Sequence, residues 1–165
     1  NAGDIAYRGF ELDGIYSLTN TVTMVGSIGY VHSKYENLIS DLTGDFIIDA
    51  LDYALEIPRA APLTYSLGFN IDGNIGSWRS ITRISYYHRD KSYYNENNQG
   101  YINKQDILNF GYDIYSPDGK INIGIYGKNL SNEVKHGGDT NLSFGGTFAP
   151  LAKGKIVGAE VVYKF

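Results

Sequence analysis

Apolar and polar positions alternate along seven stretches of this chain, and in a β-strand that alternation separates two faces, because successive side chains point to opposite sides. Between residues 6 and 17, Phe10, Leu12, Gly14 and Tyr16 oppose Gly9, Glu11, Asp13 and Ile15. Past a turn at 18–21, Val22, Met24, Gly26, Ile28 and Tyr30 oppose Thr23, Val25, Ser27 and Gly29, so the two stretches read as a hairpin. After Pro62, Leu63, Tyr65, Leu67, Phe69 and Ile71 face away from Thr64, Ser66, Gly68 and Asn70. A turn is expected at Asp72, Gly73 and Asn74, residue types that tolerate positive φ. From Trp78 to Arg89, Trp78, Ile84 and Tyr86 share one face, with Arg79, Arg83, Ser85, Tyr87 and Arg89 on the other. Leu108 to Tyr115 and Ile121 to Lys128 alternate around a tight turn at Ser116-Pro117-Asp118-Gly119. The last stretch, Lys153 to Phe165, sets Val157, Ala159, Val161, Tyr163 and Phe165 against Gly158, Glu160, Val162 and Lys164.

The connections alternate in length. Short turns near Asn20, Gly73 and Asp118 are interleaved with long segments at 33–59, 90–103 and 131–152. A transmembrane barrel requires this pattern, with short periplasmic turns and long extracellular loops, whereas a soluble sandwich has no reason to keep it. About ten strand positions span roughly 33 Å, which at a tilt of about 45° covers the apolar band of roughly 25 Å. Tyr30, Tyr86 and Trp78 fall at candidate interface depths, with Tyr163 and Phe165 at the periplasmic rim, which are the positions of an aromatic girdle. Within segment 33–59 the alternation is lost, and 46–55 could form a short helix.

Composition narrows the class. Fifteen Tyr, 7 Phe and 20 Gly among 165 residues favour sheets. No apolar run reaches the 18 or so residues of a spanning helix, while alternating strands average to the near-neutral hydropathy seen here, −0.26. With no Cys, neither a disulfide framework nor a thiolate metal site is open. A net charge of −4 argues against a nucleic-acid partner. No signal peptide opens the chain, so an outer-membrane protein with this sequence is expected to have its amino terminus upstream. An odd count of seven strands points the same way, because bacterial single-chain barrels generally have an even number.

The terminal strand, ending on Phe165 with Tyr163 two residues earlier, resembles the last strand of bacterial outer-membrane barrels. Arg8-Gly9-Phe10-Glu11-Leu12-Asp13, Pro58-Arg59-Ala60-Ala61-Pro62 followed by Tyr65-Ser66-Leu67-Gly68, and Gly127-Lys128-Asn129-Leu130-Ser131-Asn132-Glu133 are similar, in this order, to the last third of TonB-dependent outer-membrane receptors. The resemblance implies an all-β fold: an antiparallel transmembrane barrel of 22 strands, of which residues 1–165 would form about seven, the carboxy-terminal part of one barrel domain. The plug domain and the earlier strands would lie outside this sequence. It further implies active uptake of a scarce nutrient, such as a ferric siderophore, a vitamin or an oligosaccharide, with TonB engaged through the missing amino-terminal region. Outer-membrane lipid and the barrel-assembly machinery are the other implied partners. Val157, Ala159, Val161, Tyr163 and Phe165 would be the signal that machinery reads.

Candidate binding residues follow from the faces. Arg79, Arg83, Arg89 and Tyr87 share an inward face whose basic character would suit an anionic ligand such as a ferric chelate. They could equally pair with Glu11, Asp13, Asp113 or Glu160, or with a plug. Tyr93 and Tyr94, in the 90–103 loop, could grip a sugar or chelator. Asp41, Asp45, Asp49 and Asp52 carry carboxylates suited to calcium, but their spacing does not match an EF-hand and a solvated face is the simpler reading. His32, His88 and His136 are scattered, and no cofactor or metal site is expected. Without a nucleophile elbow, a metal-binding helix motif or a phosphate loop, catalysis is not expected either. Gly9, Ser27, Gly29, Ser66, Gly68, Gly111, Gly124 and Gly158 make the inward faces small, which fits a wide lumen holding a plug. The competing architecture, a small free-standing barrel acting as a pore or adhesin, needs a bulky, filled interior.

Overall fold

The computed structural model describes residues 3–134, 140–142, 146–148 and 151–165, of which 140–142 and 146–148 are described by backbone alone. Along the chain these form β1 (Gly3–Ser17), β2 (Val22–Leu38), α1 (Ala50–Tyr53), β3 (Leu63–Ile75), β4 (Trp78–Arg89), β5 (Ser92–Tyr93), β6 (Tyr101–Ile102), β7 (Gln105–Tyr115), β8 (Ile121–Lys128), β9 (Thr140–Leu142), β10 (Gly146–Phe148) and β11 (Ile156–Tyr163). Seven of the strands make one antiparallel meander in the order β1-β2-β3-β4-β7-β8-β11, and β5-β6 and β9-β10 are small separate hairpins. The sheet is open: β1 and β11 are its two edges.

Register keeps the alternation coherent from strand to strand. Leu12 lies opposite Ile28, Ile28 opposite Tyr65, and Gly26 opposite Leu67. Leu67 pairs with Tyr86, Ile84 with Phe110, Tyr112 with Ile125 and Ile125 with Ala159. A one-residue slip at any of these joints would turn every later side chain to the other face, so the shared apolar face itself specifies the register.

That apolar face has nothing packed on it. Phe10, Leu12, Tyr16, Val157 and Val161 are each more than half exposed. The hydrophobic residues that are buried sit elsewhere: Tyr35, Leu38 and Ile57 cluster beneath the 39–62 loop, with Leu42, Leu55 and Ala60 against them. A contiguous apolar surface on one side of a sheet and a small satellite core under a loop are the arrangement of a protein whose apolar face meets a non-aqueous surrounding.

Three details differ from the sequence expectation. Strand β3 continues through Asp72, Gly73 and Asn74, and Ile75 pairs with Trp78, leaving Gly76 and Ser77 for the turn. Gly76 supplies the positive φ (57°) that a tight hairpin needs, while Asp72 is held as the carboxylate partner of Arg79. Strand β2 runs on to Leu38, where alternation fails because Tyr35 and Leu38 are buried by the loop above rather than by one face of the sheet. The helix expected within 46–55 is the single turn Ala50–Tyr53, capped by Asp49.

The three remaining connections at the other end are long, at 39–62, 90–104 and 129–155, so short turns and long loops segregate to opposite ends of the sheet.

Candidate functional site

On the polar face, glycines make room for large side chains of the neighbouring strand. A Cβ on Gly124 would stand 2.6 Å from Asp113 Oδ1, and one on Gly158 would stand 2.5 Å from the Tyr126 ring. Both contacts are far inside van der Waals distance, so Asp113 and Tyr126 lie flat across the adjacent strands only because no side chain is there. Arg83 lies along Gly111 and forms an ion pair with Asp113, in which its Nη2 donates to Oδ2. Arg79 donates from Nη2 to Asp72 Oδ1 at 2.6 Å. Two of the three candidate arginines are therefore neutralised within the sheet, Arg83 by an expected carboxylate and Arg79 by one the sequence did not single out. Tyr87 faces the same side, opposite Ser66 and Ile107.

Arg89 is different. Together with Arg59 it lines a cavity of about 430 Å³ at the long-loop end of the polar face, whose other walls include Tyr7, Glu11, Thr64 and the Pro58-to-Ala61 segment. Arg89 donates to Ser92 Oγ at 3.3 Å, and the Arg59 guanidinium sits 4.9 Å from the centre of the Tyr94 ring. Among the described residues neither guanidinium has a carboxylate ion-pair partner. Arginine offers a planar fork of donors matched to carboxylates and similar anions, so two of them beside a phenol and a hydroxyl can hold an anionic group in a defined orientation.

The segment carrying Arg59 is fixed by the loop after β4. Arg59 N–H donates to the Tyr93 carbonyl at 2.7 Å, and the Asn98 side chain makes two hydrogen bonds with the Glu56 backbone. Arg59 itself has a positive φ of 61°, held by these contacts rather than by its own preference. Tyr93 and Tyr94 thus act as loop staples: Tyr94 under Arg59, and Tyr93 with Lys91 Nζ 3.0 Å from its hydroxyl and 4.3 Å from its ring centre. Sequence reasoning missed Arg59 as a site residue because a loop residue without alternation gives no facing signal.

The four aspartates of the 39–62 loop turn inward on their own backbone. Asp41 accepts from the N–H groups of Gly44 and Phe46, Asp45 from that of Ile47, and Asp49 from that of Leu51. Fully buried Asp52 accepts from Asp49, Leu42 and Thr43. Hydrogen bonds from the Asp49 N–H first, and then from Thr43 and Leu42, hold the Asp52 carboxyl well below the usual range, at about 2. These carboxylates are committed as backbone caps, and none of the described acidic or histidine groups clusters as a metal site would.

His88 is on the apolar face, stacked on Tyr65 with ring centres 4.7 Å apart and its two nitrogens beside Asp106 and Asp90. His32 is on the same face opposite Arg8. His136 lies outside the described residues. In β11 the proposed assembly residues Val157, Ala159, Val161 and Tyr163 are exposed on the apolar face, and Phe165 meets Tyr163 edge-on with ring centres 5.2 Å apart.

This chain is similar throughout its length to segments of solved outer-membrane receptors. The ferric yersiniabactin uptake receptor of Yersinia pestis matches with a TM-score of 0.80 at 16% identity, over 100% of this chain and 24% of that one. The chain has the fold of part of a TonB-dependent receptor barrel. For the ferric preacinetobactin receptor of Acinetobacter baumannii the TM-score is 0.73 at 15% identity, covering 99% of this chain and 22% of that one. The siderophore receptor PiuA of the same organism gives 0.73 at 16% identity, covering 97% and 22%. The chain therefore spans about a quarter of the length of these receptors. No protein-family model and no curated protein sequence matches it. The apolar face is the one that a transmembrane barrel turns outward and the polar face the one that it turns to its lumen; the Arg59–Arg89 cavity lies on the polar face at the long-loop end.

Proposed function

We propose that this chain is the carboxy-terminal wall of an outer-membrane TonB-dependent receptor that imports an anionic ferric chelate, and that Arg59 and Arg89 contact the ligand on its way through the lumen. The observation carrying this reading is that Arg59 and Arg89, neither of them ion-paired among the described residues, share one cavity of the polar face with a single carboxylate, Glu11, in a sheet where the neighbouring Arg79 and Arg83 are neutralised. A charge left unpaired beside a water-filled path favours an anion there. The fold likeness to siderophore receptors supports the nutrient class, and the exposed aromatic end of β11 supports assembly by the outer-membrane barrel machinery. Energy would come from TonB, through regions of the receptor beyond this sequence. The small closed barrel is disfavoured by the open sheet, in which β1 and β11 do not pair.

The test is uptake of radioactive iron by iron-starved cells that carry the full-length receptor as their sole added route. Uptake is expected with a carboxylate-rich or catecholate chelate, to depend on TonB, and to fall about tenfold or more in Arg59→Gln/Arg89→Gln, since charge-assisted contacts each contribute about 1.5–3 kcal/mol. Equal uptake by that variant, or transport of a cationic hydroxamate chelate alone, would sink the assignment.

A further inference from the structure

The cavity that holds Arg59 and Arg89 also has an acidic end, which the capture of an anion alone does not explain. Glu11, Gly29, Thr64 and Arg89 stand in one lateral row of the polar face: Glu11 pairs with Gly29, Gly29 with Thr64, and Thr64 with Arg89. Three strand spacings separate the ends of that row by roughly 14 Å at the backbone. All four residues line the cavity. Gly29 keeps its floor open, since a Cβ there would stand 3.1 Å from Thr64 Oγ1 and 3.6 Å from Glu11 Cγ. Arg59 reaches the same space from the 39–62 loop.

Glu11 is exposed and, among the described residues, makes no ion pair, although two guanidiniums line its cavity. Tyr7, four residues earlier on the same strand face, lines the cavity too. Its ring adds a surface that attracts cations to the end where the carboxylate stands. The cavity is therefore dipolar, with guanidinium donors at one end and a carboxylate beside a phenol ring at the other. A wholly anionic ligand filling it would meet the Glu11 carboxylate, a like charge that lowers affinity. A ligand with a protonated amine at that end makes the same carboxylate the acceptor of a charge-assisted hydrogen bond.

From this row we propose that the ligand is a zwitterionic chelate, with its anionic groups at Arg59 and Arg89 and a protonated amine at Glu11, so that Glu11 decides specificity among anionic chelates. The inference rests on the binding role of Arg59 and Arg89 argued above and adds the second pole of the ligand.

The experiment uses the full-length receptor purified in non-ionic detergent and two ferric probes that differ in one group. Both are ferric complexes of citrate condensed at one carboxyl with 1,3-diaminopropane, the far amine being free in one and acetylated in the other. Titration calorimetry reads binding, and heat-modifiable gel mobility confirms that each variant is assembled. The free-amine chelate is expected to bind about tenfold more tightly than the acetylated one, an advantage lost in Glu11→Gln and kept in Glu160→Gln on β11. Equal binding of the two chelates by the wild type overturns the proposal. So does a Glu11→Gln receptor that binds both more weakly yet keeps the preference, which would make Glu11 a contact of another part of the receptor. Arg59→Gln/Arg89→Gln should weaken both chelates about tenfold or more. If the wild type binds neither chelate, or the double variant binds both as the wild type does, the anion site itself is wrong and this proposal falls with it.

Discussion

The Asn98 side chain pairs with the Glu56 backbone in both directions: its Oδ1 accepts from Glu56 N–H at 2.8 Å, and its Nδ2 donates to the Glu56 carbonyl at 2.8 Å. One amide thereby replaces a strand neighbour and ties two long loops together, three residues before the Arg59 that lines the candidate site. Asn98 has a φ of 54°, a conformation Asn and Gly accept more readily than other residues.

Asn98→Gly keeps that backbone and removes only the side-chain bonds. The change is expected to destabilise the loop pair by about 1–2 kcal/mol, two exposed hydrogen bonds at about 0.5–1 kcal/mol each. Amide exchange at residues 55–61 should accelerate about tenfold while the strands keep their protection. Unchanged exchange in that segment would show that Arg59 N–H to Tyr93 and the Arg59–Tyr94 stack suffice to hold the loops.

The Tyr126–Gly158 contact gives a packing test on the lumen face. In Gly158→Val the added side chain meets the Tyr126 ring, where a Cβ alone would be 2.5 Å away. Overpacking of this kind costs typically about 1–3 kcal/mol, and Tyr126→Ala in the same chain should restore most of it. Urea refolding into detergent micelles measures both. A Gly158→Val barrel as stable as the parent would mean that Tyr126 swings into the lumen without cost.

For Asp52 the pH dependence has a definite sign. Its folded pKa, about 2, lies below the ordinary aspartate value of 3.8, so the stabilisation it gives the 39–62 loop is fully present above the unfolded value and is lost as pH falls through the folded one. Protease resistance of that loop is expected to be flat from neutral pH to about pH 4 and to drop between roughly pH 4 and pH 2. Asp52→Asn should be protease-sensitive across the whole range, because the amide loses at least one of the acceptor positions that Leu42, Thr43 and Asp49 use. A wild-type loop cut equally at pH 5 and pH 2 would count against the capping role.

The sheet was legible because each strand repeats the same two-residue code, and the register confirms it from Leu12 and Ile28 through Ile125 and Ala159. Where another interaction overrode local chemistry, the reading slipped. Asp72-Gly73-Asn74 has turn composition, yet Arg79 holds Asp72 inside the strand and Gly76 makes the turn. The arginines could be placed on one face from sequence, but which of them is neutral depends on strand neighbours such as Asp113, distant in the chain. Arg59 was invisible as a site residue, since its place comes from contacts with Tyr93, Tyr94 and Asn98 of another loop.

The face assignment itself can be tested at neighbouring positions of β3. Leu67 lies on the apolar face, opposite Gly26 and Tyr86, and Ser66 lies on the polar face, where its hydroxyl is 2.7 Å from that of Ser27. In the membrane a charge on the outer wall near mid-depth costs about 2–4 kcal/mol, whereas a lumen charge stays hydrated. Leu67→Arg is therefore expected to lower barrel stability by that amount, and Ser66→Arg by about 1 kcal/mol, the loss of one hydrogen bond. Refolding of the full-length receptor into phospholipid vesicles over a denaturant series reads both. The sign of the difference is decisive: a larger loss for Ser66→Arg would reverse inside and outside, and with them the lumen placement of Arg59 and Arg89.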